Sequence, residues 1–474
     1  MSRLKQSWQV ASVPASPWPA DHHEEKLGSA QQSLIAPPGR CALKPLAMAE
    51  PTHPFQIANF RFYWASRFSM TIAQNAMIIV IGWQTYTIAR ETMSMHEAAA
   101  QLGLIGLLQF MPLFLSTPIT GWVADRFDRR WITRATVSMQ VFCALILAIV
   151  TSRGAMTLPV LFSVAVALGF CRAFAGPAFS ALAPNLVPRA ILPNAIALSS
   201  ISWQVGTIIG PGAGGFAYKA APYAAYALAA GLLTLALGCL MMISPVPRTA
   251  VPSKANPLRQ IAEGLAYVGQ NKLVLGTITL DLFAVFLAGT TALLPIYAYD
   301  ILHVDATGLS LLAAAPAVGA SVTAIFFSFR PIKTNVGPKM LWAVMVYGTA
   351  TIVFGVSQTM ALSLAALAIA GAADMFSVYI RQSLIQLHTP DDKRGRVGAV
   401  SQLTISASNE LGEAESGFLA AALGPVGAVL VGGGGAIVVT ILWTFLFPSI
   451  RRARTFDPSE DLPDPDTIKM EAVT

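Results

Sequence analysis

Residues 101–152 read QLGLIGLLQFMPLFLSTPITGWVADRFDRRWITRATVSMQVFCALILAIVTS. Two apolar runs, 101–123 and 132–152, flank a short loop in which Asp125, Arg126, Asp128, Arg129 and Arg130 concentrate the charge. A bilayer core of about 30 Å takes about 20 mostly apolar residues as one helix, so each run is long enough to cross. Working outward, the pattern recurs at 64–89, 157–183, 196–218, 223–244, 273–299, 307–329, 340–357, 360–387, 397–423 and 427–448. Without water to satisfy backbone N–H and C=O groups, such runs must be helical. Strands of a membrane barrel would instead alternate over about ten residues each. The expected fold is an all-α membrane protein with twelve transmembrane helices.

Composition agrees. Of 474 residues, 54% are apolar and 12% charged, against about 25% charged in a soluble protein. A net charge of +7 is too thinly spread for a nucleic-acid-binding face, and so much apolar surface excludes intrinsic disorder of the whole chain. The loops after spans 2, 4, 6, 8 and 10 hold fifteen Lys and Arg residues, against Arg90, Arg153 and Lys219 on the other side. The excess of basic residues in cytoplasmic loops places both termini in the cytoplasm of a multi-pass inner (plasma) membrane protein.

The longest internal polar stretch separates spans six and six, giving bundles at 55–247 and 273–450, a cytoplasmic linker at 248–272, and cytoplasmic tails at 1–54 and 451–474. The first tail, rich in Pro, Ser and Ala, is expected to be disordered, with Met48 an alternative start; no cleavable signal peptide is visible in it. Shifting the chain by 202 residues aligns Gly169 with Gly371, Phe174 with Phe376, Gly210 with Gly412, and Gly215 with Gly417. Because this offset spans six helices, the two bundles run parallel and are pseudosymmetric, with a binding cavity between them.

The loop Gly121-Trp-Val-Ala-Asp125-Arg126-Phe-Asp128-Arg129-Arg130 resembles the loop signature of the major facilitator superfamily. Gly206-Thr-Ile-Ile-Gly210-Pro211-Gly-Ala-Gly214-Gly215 is similar to the antiporter motif of proton-coupled exporters. Phe60-Arg-Phe-Tyr-Trp-Ala-Ser-Arg67, Leu192-Pro-Asn194-Ala-Ile-Ala-Leu-Ser-Ser200 and Arg394-Gly-Arg-Val397 resemble the branch containing the enterobactin exporters and related secretion permeases. The resemblance covers residues 55–450 and implies a secondary transporter that works by export. The corresponding loop of the second half, Phe329 to Met340, lacks the acidic residue, so an acidic latch would be one-sided.

Physically, Asp125 suits the N-terminal end of a helix from the other bundle. Arg129 and Arg130 are then expected to pair with Asp391 and Asp392 at the start of span 11, closing a latch; a basic loop serving topology alone is the competing reading. Glycines at spacings of four and five make a smooth helix face for close packing. Charges inside spans are costly and mark pathways. Arg172 and Asp374 occupy matching repeat positions and are expected on opposite walls of one cavity, forming a charge pair if they approach when one gate closes. Arg381 is either a second partner of Asp374 or snorkels to the interface. Asp281, Asp374, Glu413 and Glu410 are the proton-coupling candidates, Glu410 and Glu413 sharing a helix face.

There is no phosphate loop and no metal-ligand cluster, so neither an enzymatic activity, a cofactor nor a bound metal is expected. The four cysteines lack metal or redox spacing and read as buried or tail thiols. The function expected is proton-coupled export of an amphipathic small molecule, drug-like or siderophore-like, by a monomer in the lipid bilayer. An uptake permease or lysolipid flippase on the same fold is the alternative. A membrane receptor or enzyme is disfavoured by the short tail and the lack of a clustered nucleophile and base.

Overall fold

The computed structural model describes residues 52–245 and 257–457, without the side chains at 117, 118, 121, 122, 124, 125, 181, 189, 257–261 and 392. In the first half the helices are α1 (Ala58–Thr92), α2 (Met95–Arg126), α3 (Arg129–Ser152), α4 (Leu158–Leu182), α5 (Leu192–Ala220) and α6 (Pro222–Met242). Next come α7 (Pro257–Gln270) and the broken segment α8 (Lys272–Leu287) and α9 (Leu294–Ile296), the latter running into a π-helical turn at Tyr297–Ile301. The chain continues as α10 (Ala306–Phe329), α11 (Val336–Val356), α12 (Met360–Leu387), α13 (Asp391–Leu446) and the short α14 (Pro448–Arg452). Among the described residues there is no strand, and nine helices are long and apolar enough to cross a bilayer.

The differences from the expected spans have physical causes. Helices α1 and α5 fall outside those nine because polar side chains interrupt their apolar runs, several of them bonded within the protein, as Gln204 Nε2 of α5 is to Ser321 Oγ at 2.8 Å. Gln74 Nε2 donates to Gln140 Oε1 at 2.8 Å, Tyr226 Oη to Gln84 Oε1 at 2.8 Å, and Asn75 Nδ2 to Thr71 O at 2.9 Å. The segment α13 is two helices, 391–423 and 425–446, matching the spans expected at 397–423 and 427–448 and joined at the non-helical Gly424 (φ 77°, ψ 162°). Only glycine adopts such a backbone readily, and Pro425 follows it. Several helices extend beyond their apolar runs into polar ends, as α1 does to Arg90 and Glu91.

Two of the expected segments contain ordered structure. The linker expected at 248–272 contains the amphipathic helix α7, which Tyr267 Oη ties to His388 O at 2.8 Å, and Arg396 to Glu263 at 2.9 Å. The tail expected from 451 begins as structure: Gly337 N donates to Ala453 O at 3.0 Å, and Ala453 is buried. Of the first tail, 1–51 lie outside the described residues, while 54–56 form a turn capped by His53.

The halves repeat each other's packing. Contact of α1 with α5 corresponds to α8 with α13, α2 with α4 to α10 with α12, and α3 with α4 to α11 with α12. The glycines at the 202-residue offset explain why. Gly210 lies against Ile72 and Asn75 of α1, and Gly412 against Val285 and Phe286 of α8. Gly215 lies against Ala306 and Ser310 of α10, and Gly417 against Gly103 of α2, so this pair brings the halves together symmetrically. Gly169 and Gly371 receive Gln109 of α2 and Pro316 of α10. Small residues permitting close backbone approach are the usual means of joining helices in a bilayer.

Candidate functional site

Arg172 on α4 reaches across to the other half. Its Nη2 lies 2.6 Å from Glu410 Oε1 on α13, and its Nη1 donates to Gln109 Oε1 at 3.4 Å. The Arg172 side chain is 42% exposed and that of Glu410 6%. Glu410 Oε2 has no hydrogen-bond partner among the described residues. Glu413 stands one turn further along α13, its Cβ beside Gly106 of α2. Two carboxyls and one guanidinium therefore meet where α2, α4 and α13 converge.

Arg172 is not paired with Asp374 in this structure. Helix α13 packs on α2, the neighbour of α4, so the Glu410 carboxylate comes within reach of Arg172. Asp374 on α12 lies instead inside the second half, sharing a small cavity with Asp281, Tyr347 and Ser377. Arg381, also on α12, pairs with Asp281 of α8 and is buried at 3% side-chain exposure. It does not snorkel. The second charged cluster is thus Asp281, Asp374 and Arg381, all from one half.

At the α2–α3 turn Asp128 caps α3 by accepting from Arg130 N at 3.0 Å, and its Oδ2 sits 2.6 Å from Arg130 Nη2. Arg130 Nη1 also donates to Ile243 O at 3.4 Å, and Arg134 to Leu240 O at 3.0 Å, so both cap the negative end of α6. Asp391 pairs with Arg394 at 2.7 Å on its own helix. The expected Arg130 arm of the latch is therefore engaged within the first half. Gly121, Asp125 and Asp392 lie outside the described side chains; Arg126 closes α2 and Arg129 opens α3.

Every glycine of the α5 motif that packs meets a helix. A Cβ on Gly206 would lie 2.8 Å from Thr71 Cγ2, and one on Gly214 2.8 Å from Ala76 O. Gly210, Pro211 and Gly215 are buried on the same helix. The motif thus seats α5 against α1, with Gly215 against α10.

Sequence reasoning missed a group of contacts at the end opposite the Arg-rich loops. There Arg90 Nη2 lies 3.2 Å from Asp300 Oδ1, Tyr86 Oη bonds Asp300, and Lys219 Nζ lies 3.0 Å from Asp305 Oδ2. His96 Nδ1 meets Ala421 O at 2.8 Å. Each joins one half to the other. The signal was present: basic residues counted only for topology on that side belong to the first half, and the two acids to the second. The Lys219 ammonium, with the Gly308 and Thr307 amides, holds the Asp305 carboxyl below the usual aspartate range.

A family model described as transmembrane secretion effector matches residues 49–472. The chain is 25% identical over 416 residues to a protein of Citrobacter koseri named enterobactin exporter EntS, covering 86% of this chain and 96% of that one. Against the protein of the same name from Escherichia coli O1:K1, identity is 24% over 411 residues, 86% of this chain and 95% of that one. Solved structures share the fold. A D-xylose-proton symporter superposes with a TM-score of 0.65 at 12% identity, over 84% of this chain and 99% of its own. A POT family transporter in complex with 5-aminolevulinic acid gives 0.66 at 14%, over 83% and 97%.

Proposed function

Because the chain belongs to the transmembrane secretion effector family of the major facilitator superfamily, we propose that it is a proton-coupled exporter moving an amphipathic small molecule, drug-like or siderophore-like, out across the inner membrane. That it is a multi-pass membrane transporter of this superfamily, not an enzyme, follows from the family itself. The Lys and Arg bias sets both termini in the cytoplasm, with twelve spans, bundles at 55–247 and 273–450, and a monomer as the working unit.

The observation that carries the reading is the Arg172–Glu410 pair. It joins the two halves deep in the molecule, yet Arg172 stays 42% exposed, as a group that also meets solute would. The far end is drawn together by Gly103–Gly417, Gly215–Ser310, Arg90–Asp300 and Lys219–Asp305, which suits a state that admits cargo from the cytoplasm. Rocking the halves apart at that end separates α2 from α13 and α5 from α10, and exchanges the partners of Arg172. One guanidinium neutralises one of the two carboxyls, Glu410 and Glu413; the other is the proton carrier we assign, with Asp281 and Asp374 as the second relay. Protonation removes charges that are costly inside a bilayer, so entry of a proton favours the rearrangement. Asp125 with Arg126, Arg129, Asp391 and Asp392 forms the cytoplasmic latch of the opposite state.

The names of the relatives support export and a siderophore-like cargo. The test is accumulation of enterobactin in inverted vesicles with simultaneous recording of proton movement. Wild type should couple the two. Substrate-driven proton movement with unaltered pH dependence in a Glu413→Gln, Asp281→Asn double variant would reject both as carriers.

A further inference from the structure

Helices α11 and α13 approach closely in the middle of their contact, where a Cβ on Gly348 would lie 2.8 Å from Gly433 O. Toward the Arg-rich end the side chains between them are larger, and the surface opens into a groove lined by Leu341, Trp342, Met345, Ile441, Thr444 and Arg451. The threonine hydroxyl is turned away to its own helix, Thr444 Oγ1 donating to Thr440 O at 2.8 Å, so the groove offers methyl and ring surface. Trp342 is 70% exposed. At the mouth, α14 presents Arg451, which is exposed and, among the described residues, in no ion pair; Arg452, also exposed, follows it on the same helix.

An exposed apolar slot between membrane-spanning helices, with the Arg451 guanidinium at one end and Arg452 next to it in sequence, complements a particular kind of molecule. We propose that this groove binds one anionic phospholipid, its acyl chain along Trp342 and Ile441 and its phosphate on Arg451 and Arg452. Basic pockets between membrane helices at the cytoplasmic level select anionic headgroups in this way, and arginine's fork matches phosphate oxygens. A zwitterionic lipid brings its own cation to the mouth and gains less.

The full-length protein would be released from nanodiscs of equal phosphatidylglycerol and phosphatidylethanolamine, and its retained lipid read by native mass spectrometry. Wild type should keep phosphatidylglycerol in preference. Arg451→Gln should lower that retention about fivefold, the effect of one basic residue near a lipid surface. Ile441→Trp fills the groove without altering charge and should lower it as well, while transport by both variants reports correct folding. Equal retention of the two lipids by wild type, or unchanged retention in either variant, overturns the site. So does phosphatidylglycerol binding that appears only in a chain ending at Asp457, which would give the groove mouth to the acidic segment 458–474.

Discussion

Replacing Gly417 with alanine adds one methyl group where α13 crosses α2. That methyl falls on the backbone of Gly103, with Ala99 O another 3.2 Å away. Carbon atoms need about 3.5 Å, and a backbone cannot rotate aside as a side chain can, so the two helices must part. Overpacking of this kind costs about 1–3 kcal/mol while the far end is shut, and nothing once it opens. The ratio of shut to open molecules should therefore fall about 5- to 150-fold. Spin labels at Glu91 and His303, both exposed at that end and in opposite halves, would report it in a cysteine-free background. Pulsed electron paramagnetic resonance should show a short distance in wild type and a second, longer population in the variant. Gly231→Ala is the control, since its added Cβ meets nothing within 4 Å. An unchanged distribution in Gly417→Ala, or an equal shift in the control, would refute the assignment of this crossing as the far-end closure.

Three further outcomes are expected. Glu410→Gln should lower transport about tenfold or more, by removing the partner of a half-exposed arginine, and Arg172→Glu combined with Glu410→Arg should restore part of it in an efflux assay; no recovery would deny the pair a direct role. Asp281→Asn strands the buried Arg381 and should cost about 3–5 kcal/mol, seen as a lower thermal midpoint that the added Arg381→Gln recovers. The pair of Asp305 with Lys219 contributes above the ordinary aspartate value of about 4 and is lost only as pH falls through the depressed value; between pH 6 and 8 it is constant. The transport pH profile of Asp305→Asn should match wild type over that range, and a displaced optimum would contradict the assignment.

The rods were legible because lipid leaves only helices and closed barrels and the runs are too long for barrel strands; their grouping was legible because Gly210 and Gly215 echo in Gly412 and Gly417. Those glycines proved to sit on equivalent crossings. The charged residues were legible as a set but not as pairs. Arg172 and Asp374 match in the repeat, yet a repeat position fixes only the place of a Cα, and a long guanidinium takes the nearest carboxylate, here Glu410. Arg130 has nearer partners in this structure: Asp128 and the carbonyl of Ile243 at the end of α6. Helix α7 lay in a segment read only as a polar linker, although it forms an amphipathic helix that packs on α13.

The corner at Gly424 and Pro425 bears on how this protein is engineered. With no slack there, a tag or reporter domain inserted at that point would have to unwind the bend and shift both of its arms. Fusions used to map which side of the bilayer each connection faces should avoid it, and the stretch between His303 and Asp305 makes the better insertion point on the same side only if the Lys219 contact is left whole.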